Sequence, residues 1–142
     1  MILREARASD SEGIAALIRA SGVEFDWELG AQLEAEVERN LAAARAGQAH
    51  FVWVAELEGQ IVGYALAHRL PYLISPRPEA FLGELFVHPD HRGVGLGSRL
   101  LARVEAFADQ EGCGRISLFN HRARPSYQRG FYAARGYSER VE

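Results

Sequence analysis

Three alternate glycines follow an arginine in the run Arg92-Gly93-Val94-Gly95-Leu96-Gly97. An apolar stretch, 81–87, precedes the run, and Pro89 forces a turn between the two because proline fixes its own φ. Apolar residues then recur at the spacing of one helix face, at Leu96, Leu100, Leu101, Val104, Phe107 and Ala108. The pattern predicts a strand, a glycine-rich turn and a helix that begins near Gly95.

The start of such a helix can bind a phosphate group. Its first N–H groups have no partner within the helix, the helix dipole is positive there, and glycine has no Cβ to hold an anion away. Arg92 adds a permanent positive charge with forked donors. We therefore expect the run, together with Ser98 after it, to bind the pyrophosphate of a cofactor.

Two other phosphate-binding motifs do not fit these residues. A dinucleotide-binding turn needs Gly-x-Gly-x-x-Gly, but Ser98 stands at the third glycine position, and too little chain follows for the remaining strands. A phosphate-binding loop of the NTPase class needs a lysine before Ser or Thr. All 16 basic residues of this chain are arginines, which excludes that loop.

The run resembles the acyl-CoA pyrophosphate signature of the GNAT superfamily of N-acetyltransferases, which reads Arg or Gln, two residues, Gly, one residue, then Gly or Ala. Arg92, Gly95 and Gly97 match that pattern. The resemblance implies acetyl-CoA as acyl-donor cosubstrate and direct transfer of its acetyl group to a primary amine of a small molecule or peptide. A non-catalytic acyl-CoA-binding sensor or partner module is the alternative.

The elements on either side of the turn predict an α/β fold. Strand patterns cover 2–7, 50–57, 61–70, 81–87, 115–120 and 137–141. Ser9 or Asp10 is predicted to cap the first helix, and further helix patterns begin at Leu33, near Gly95 and at Pro125. The second and last helices are predicted to end near Gly47 and Gly136. The order β-α-α-β-β-β-α-β-α-β matches the GNAT fold, a mixed, mostly antiparallel central sheet flanked by about four helices. The length suits one domain over 1–142.

An amine that attacks a thioester must lose a proton, so such a site needs a base or a water route to one. Glu84 is the candidate base, because strand alternation places it on the face of Leu82 and Phe86, where burial would raise its pKa. In the family that the chain resembles, a glutamate on this strand often has that role, commonly through water. The alternative is a solvated glutamate, or a buried one neutralised by an arginine.

The departing thiolate must gain a proton, and the resemblance implies a tyrosine of the last helix as the acid. Tyr132 stands a few residues before Gly136-Tyr137, where the family usually places this tyrosine, and a phenol is protonated at neutral pH. Tyr127 is the alternative. Five residues earlier, it would lie on another face of the helix, and its spacing to Phe131 indicates core packing.

The resemblance implies further contacts with the cofactor. Asn120 ends a short strand where the family often has an asparagine against the pantetheine arm, and the alternative is a turn residue that only ends the strand. The backbone of Phe86 and Val87 is expected to pair with the pantetheine amides in strand fashion, since the family splays its sheet there.

Charge is distributed unevenly along the chain. The formal net charge is −3, but acidic residues outnumber arginines in residues 1–60, and arginines outnumber acidic residues in 61–142. A basic second half suits an anionic cofactor, and an acidic first half suits a cationic amine. Acidic and aromatic side chains on the predicted loop between the first two helices are therefore the candidate substrate contacts: Glu24, Asp26 and Trp27.

Several classes of function have no support in the sequence. No apolar run approaches the roughly 18 residues of a membrane span, and the first residues lack an export pattern. Nothing resembles the basic patch of a nucleic-acid-binding protein. His88, Asp90 and His91 are too few for a metal site, and a single cysteine, Cys113, indicates a reducing compartment. We expect a cytoplasmic enzyme without a metal, either a monomer or a homodimer.

Overall fold

The computed structural model describes residues 1–22, 32–47 and 49–140. Five strands form in these residues: β1 Ile2–Glu5, β2 His50–Leu57, β3 Gln60–Leu70, β4 Glu79–Val87 and β5 Arg115–Leu118. The same residues form five α-helices: α1 Ser11–Ala20, α2 Leu33–Ala46, α3 Leu96–Gln110, α4 Pro125–Gln128 and α5 Phe131–Ala134. None of these helices is both long and apolar enough to cross a membrane.

The strands form one mixed sheet in the order β1-β2-β3-β4-β5. The first three pairs are antiparallel, and β4 pairs with β5 in parallel. A parallel pair needs a crossover connection, and α3 supplies it. The β2–β3 hairpin turns at Glu58 and Gly59, whose φ angles of 50° and 80° suit the right-handed twist of two antiparallel strands.

Helices cover both faces of the sheet. On the face that we call the α3 face, the apolar stripe of α3 packs against the strands at Trp53, Ala65, Ala67, Ala80 and Leu82. A Cβ on Gly63 of β3 would lie only 3.0 Å from Leu100 Cδ1, so glycine allows this close approach. On the opposite face, called the α1/α2 face, both helices bury their apolar stripes against Val54, Tyr64 and Phe86. Each fully buried leucine contributes about 1.5–3 kcal/mol.

Strand β4 contains a bulge at Gly83. The consecutive β3 residues Leu66 and Ala67 pair with Glu84 and Leu82, so Gly83 has no partner on β3. The extra residue reverses the alternation: Leu82 lies on the α3 face, whereas Glu84 lies on the α1/α2 face. The prediction that Glu84 shares a face with Leu82 is therefore wrong, because sequence alternation assumes a strand without a bulge.

The predicted α/β order is confirmed from β1 to β5, and the last part of the chain differs from the prediction. The single last helix is two short helices, broken at Gly130, whose φ is +69°. Residues 137–140 form no strand. Glu139 instead accepts hydrogen bonds from Arg122 Nε at 3.0 Å and from the Tyr127 hydroxyl at 3.1 Å, which ties this stretch back to α4.

Asp10, one of the two residues predicted to cap the first helix, is the N-cap residue of α1, which begins at Ser11. Its side chain makes no capping hydrogen bond to that helix. The Asp10 carboxylate instead accepts two hydrogen bonds from Arg4, at 2.8 and 2.9 Å, and one from the backbone N–H of Arg7 at 2.6 Å. The Arg4 hydrogen bonds hold the pKa of Asp10 below its usual range, although burial opposes them. This ion pair anchors the end of β1 to α1.

Candidate active site

The glycine-rich turn between β4 and α3 has the conformation and the open space that an anion needs. Gly93 and Gly95 have φ angles of +80° and +83°, which L side chains rarely adopt. Apart from the glycine itself and its chain neighbours, no heavy atom of the described residues lies within 4 Å of the position that a Cβ would take at Gly93 or Gly95. Val94, between them, is exposed. The turn therefore presents bare backbone to the solvent.

Helix α3 begins directly after this turn, with Gly95 as its N-cap and without a side-chain cap. The first backbone hydrogen bond of the helix joins Arg99 N to Gly95 O at 3.1 Å. The N–H groups of Leu96, Gly97 and Ser98 precede that bond and have no acceptor within the helix. With the positive end of a 15-residue helix dipole, they form a site suited to phosphate oxygens.

Arg92 lies exposed at the entrance to this turn. Its Nε donates to the carbonyl oxygen of Val87, the last residue of β4, at 3.2 Å. Within the part of the chain that the structure describes, Arg92 forms no ion pair with a carboxylate. Because only Nε is held by the strand, the two Nη groups keep their donors for an anion.

Gly97 lies in a contact that the sequence pattern did not predict. A Cβ at this position would lie 3.4 Å from Phe131 Cζ and 3.8 Å from Val87 Cγ2, which is ordinary van der Waals distance. The Phe131 ring of α5 therefore lies over the first turn of α3, beside the end of β4. The last helix borders the glycine-rich turn.

Strands β4 and β5 separate beside the same turn. Their parallel pairing runs from Glu79 with Arg115 to Leu82 with Leu118 and extends no further. Strand β4 continues for five residues, 83–87, without a β5 partner. An extended ligand with amide groups can add to such an open strand edge through backbone hydrogen bonds. Phe86 and Val87 lie in this open stretch, as the resemblance implied.

Glu84 lies partly buried on the α1/α2 face of the open stretch, and its Oε1 accepts a hydrogen bond from the Tyr64 hydroxyl at 3.2 Å. Burial raises the pKa of Glu84, and the hydrogen bond from Tyr64 opposes that rise. No arginine of the described ranges pairs with this carboxylate. A carboxylate with a raised pKa and without a cation is suited to accept a proton near neutral pH.

Tyr64 is the residue of this site that the sequence analysis missed. It is 3% exposed, pairs with Phe86 across β3 and β4, and stacks on the Phe86 ring with 5.3 Å between centroids. Burial raises the pKa of its phenol further above neutrality, so the hydroxyl stays protonated. A tyrosine at an alternating strand position was the only signal in the sequence. Its meeting with Glu84 depends on strand register and on the bulge.

The two tyrosines of the last helical segment have different surroundings. Tyr132 is partly buried between the rings of Phe131 and Tyr137, at centroid distances of 4.9 and 5.8 Å, and burial raises its pKa. Its hydroxyl is hydrogen-bonded to no residue that the structure describes. The Tyr127 hydroxyl donates to Glu139 at 3.1 Å. Because the chain breaks at Gly130, Tyr127 and Phe131 do not share one helix face, and the predicted packing of that pair is wrong.

The remaining predicted residues divide into two groups. Asn120 lies just beyond β5, partly buried, and its Oδ1 accepts a hydrogen bond from Ser126 Oγ at 3.1 Å, which fixes the amide next to the gap between β4 and β5. The candidate substrate contacts Glu24, Asp26 and Trp27 lie outside the described residues.

The histidines after β4 shape the turn itself. His88 Nδ1 accepts a hydrogen bond from the Asp90 N–H at 3.1 Å, and the His88 and His91 rings meet edge to face at 5.5 Å. Among the described residues, no three His, Cys, Asp or Glu side chains form a group that could hold a metal ion. His88 therefore acts as a cap for the short 3-10 helix Pro89–His91.

Comparison with known proteins agrees with this geometry. A family model described as "Acetyltransferase (GNAT) family" matches residues 16–131, which include the glycine-rich turn, Tyr64 and Glu84. An uncharacterized N-acetyltransferase of Bacillus subtilis is 29% identical over 136 residues, covering 93% of this chain and 89% of the relative. Thialysine N-epsilon-acetyltransferase of Bos taurus is 30% identical over 142 residues, covering 90% of this chain and 81% of the relative.

Solved structures share the whole architecture. A putative acetyltransferase from Agrobacterium tumefaciens superposes with a TM-score of 0.83 at 26% sequence identity, covering 100% of this chain and 96% of that protein. The similarity therefore extends over the complete sheet and both helical layers. The fold, the glycine-rich turn and the sequence similarity lead to one family.

Proposed function

Because this chain is an acyltransferase of the GNAT family, we propose that it transfers an acetyl group from acetyl-CoA directly to a primary amine. The observation that carries this proposal is the junction of two features: the bare turn at the start of α3 and the open edge of β4 beside it. The first suits a pyrophosphate, and the second suits an arm with amide groups. Acyl-CoA carries both groups in one molecule.

The residues of this junction fit such a cofactor. The N–H groups from Gly93 to Ser98 and the side chain of Arg92 would hold the pyrophosphate. The backbone of Phe86 and Val87 would pair with the pantetheine amides, and the Asn120 amide group would contact the same arm. When bound, acetyl-CoA supplies a thioester carbonyl that an amine can attack.

Two side chains would move the protons. Glu84, with its raised pKa, would accept the proton of the attacking amine, either directly or through a water molecule. Tyr132, which stays protonated because burial raises its pKa, would donate a proton to the departing thiolate. The packing of Phe131 on Gly97 supports this assignment, because it brings the helix of Tyr132 to the end of β4.

The acceptor would be a small molecule or a peptide with a primary amine. The acidic first half of the chain supports a cationic substrate, and the thialysine acetyltransferase of Bos taurus acts on an amine by its name. Glu24, Asp26 and Trp27 are the proposed contacts with the acceptor. One domain over residues 1–142, in the cytoplasm, as a monomer or homodimer, would suffice for this reaction.

Calorimetric titration of acetyl-CoA into protein freed of carried-over CoA tests the proposed cofactor. We expect micromolar binding by the wild type and none by Gly95→Glu, because a carboxylate would occupy the site of the pyrophosphate. Gly112→Glu is the matched control: Gly112 follows the other end of α3, also has a positive φ, +67°, and also has open space at its Cβ. Equal binding by Gly95→Glu and the control would contradict the proposed turn site.

The acceptor class is then tested by thiol release. Wild-type protein with acetyl-CoA is mixed with polyamines, amino acids, aminoglycosides and amino-terminal peptides, and free CoA is measured with a thiol reagent. We expect release that depends on a primary amine and is absent with the N-acetylated form of the same compound. Release that does not depend on any amine would indicate hydrolysis instead and would overturn the proposed transfer.

A further inference from the structure

Tyr64 of β3 and Glu84 of β4 form a hydrogen-bonded pair of side chains that no sequence motif predicts. The Tyr64 hydroxyl donates to Glu84 Oε1 at 3.2 Å. We propose that Tyr64 is a positioning residue for the base: it holds one carboxylate oxygen of Glu84 and leaves the other for the proton of the acceptor amine. This inference rests on the function proposed above for Glu84.

The tyrosine is more rigid than the glutamate that it contacts. Its ring is 3% exposed and lies between the sheet and the helices of the α1/α2 face, where it stacks on Phe86 at an interplanar angle of 17°. A glutamate has three rotatable side-chain bonds, so a fixed donor limits the positions of its carboxylate. The hydroxyl therefore transfers the rigidity of the core to the reacting oxygen.

The hydrogen bond has one direction when Glu84 is ionised, from the Tyr64 hydroxyl to the carboxylate. Because burial raises the pKa of Tyr64, its phenol keeps its proton and acts as the donor. Glu84 is then the acceptor, and the bond is stronger when the carboxylate is ionised. Burial alone favours the neutral acid, which could not accept a proton, so Tyr64 partly restores the basic form.

The other groups around Glu84 do not supply this hydrogen bond. His68 on β3 lies against the bulge, and its Nε2 is 2.9 Å from the position that a Gly83 Cβ would take. Burial lowers the pKa of His68, and the nearby His50 lowers it further. Helix α1 presents apolar side chains to this face, at Ile14, Leu17 and Ile18. Among the described residues, only Tyr64 forms a hydrogen bond with the Glu84 side chain.

The substitution Tyr64→Phe removes the hydroxyl and keeps the stacked ring. We expect kcat/KM near neutral pH to fall about tenfold, the loss expected for a hydrogen bond to a charged group. The acid limb of the pH profile should move to higher pH, because Glu84 loses the donor that lowers its pKa. The Kd for acetyl-CoA should stay unchanged. Tyr72→Phe is the matched control, since its hydroxyl binds Glu79 at the other end of β4, and it should leave the acid limb in place.

A double-mutant cycle separates positioning from packing. In a Glu84→Gln background, adding Tyr64→Phe should cause no further loss of kcat/KM, because the hydroxyl acts through the carboxylate. A tenfold loss in both backgrounds, or a wild-type pH profile in Tyr64→Phe, would overturn the inference while leaving Glu84 as the base. Full activity of Glu84→Gln alone would instead overturn the role proposed for Glu84.

Discussion

Glu79 and Glu84 stand on one strand and on one face of the sheet, but their surroundings are opposite. Glu79 pairs with Leu70 and Glu84 with Leu66, and these two β3 residues share a face because they are four positions apart. Because side chains alternate along a regular strand, two residues five positions apart would lie on opposite faces. The extra residue at the Gly83 bulge brings both glutamates to the same face.

At the Glu79 end of β4, which we call the closed end, side chains of neighbouring elements bind the carboxylate. Its carboxylate accepts hydrogen bonds from Ser117 and Tyr72, and from Arg115 Nη2 at 3.1 Å, which connect β4 to β5 and to the β3–β4 connection. Burial alone would raise the pKa of Glu79, but these donors hold it below the usual range. Several donors therefore keep a buried carboxylate ionised and make it a structural anchor.

The Glu84 end of β4, which we call the open end, has no pairing with β5. Among residues 1–22, 32–47 and 49–140, one side chain, Tyr64, donates to the carboxylate, and burial is the stronger influence, so the pKa of Glu84 is raised. Strand β5 has already left β4 at this point. Among the described residues, three side chains donate to Glu79 and one donates to Glu84, and the pKa is lowered at the first carboxylate and raised at the second.

Exchange of Glu84 for glutamine is expected to have the largest effect on activity. Glu84→Gln should lower kcat about a thousandfold, within the range for loss of a general base, with the Kd for acetyl-CoA unchanged. Glu79→Gln provides the matched control at the closed end and should retain a kcat close to that of the wild type. Steady-state kinetics of both variants decide the comparison, and equal kcat values would refute it.

At the closed end we expect the larger effect on stability. Glu79→Gln should lower the free energy of unfolding by about 1–3 kcal/mol, because it weakens the hydrogen bonds from Ser117, Tyr72 and Arg115. Since the folded-state pKa of Glu79 is lowered, its contribution is complete above the unfolded pKa and is lost as pH falls through the folded value. Urea unfolding at neutral and acidic pH should show a difference that shrinks in acid; a constant difference would disagree with this assignment.

Tyr132 is the residue that we propose as the proton donor beside the end of β4 that carries Glu84. Tyr132→Phe should lower kcat about tenfold, less than loss of the base, because a thiol with a pKa near 8.5 leaves readily without full protonation. Acetyl-CoA affinity should change little. Tyr127→Phe removes a hydroxyl that binds Glu139 and serves as the control. An unchanged kcat in Tyr132→Phe would remove this residue from the mechanism.

The smallest expected effect is on the stability of Glu84→Gln, and its pH dependence is opposite to that expected for Glu79→Gln. Because the folded-state pKa of Glu84 is raised, its contribution to stability is present below the unfolded pKa and is lost as pH rises through the folded value. Glu84→Gln should therefore be more stable than the wild type at pH 8, by about 1 kcal/mol or less. Thermal unfolding of the apoprotein across pH measures this, and destabilisation at pH 8 would contradict it.

Most of the fold could be predicted from local patterns. The β2–β3 hairpin, the α2 helix that ends at Gly47 and the α3 helix after Gly95 agree with the prediction to within a few residues. Each depends on short-range signals, such as apolar spacing, a turn or a glycine. The prediction for the last segment is wrong because the sequence pattern could not show that Gly130 adopts a positive φ, which divides the helix. The contacts of Arg122 and Tyr127 with Glu139 join residues that are distant in the chain.

The candidate site was predicted in part. The glycine-rich turn is continuous in sequence, so its residue types alone predicted its open conformation at Gly93 and Gly95 and indicated the chemistry that we propose for it. The face of Glu84, its partner Tyr64 and the packing of Phe131 on Gly97 depend on residues that are distant in the chain. No single-strand pattern contains that information.

The sequence by itself determined the family, the order of elements from β1 to β5 and the position of the glycine-rich turn, because these depend on local conformation and on which residue types are present. Only the tertiary structure decided which glutamate of β4 is an anchor and which is suited to accept a proton. The physical reason is that a pKa depends on donors brought by other strands, and a one-residue bulge determines which strand neighbours each carboxylate meets.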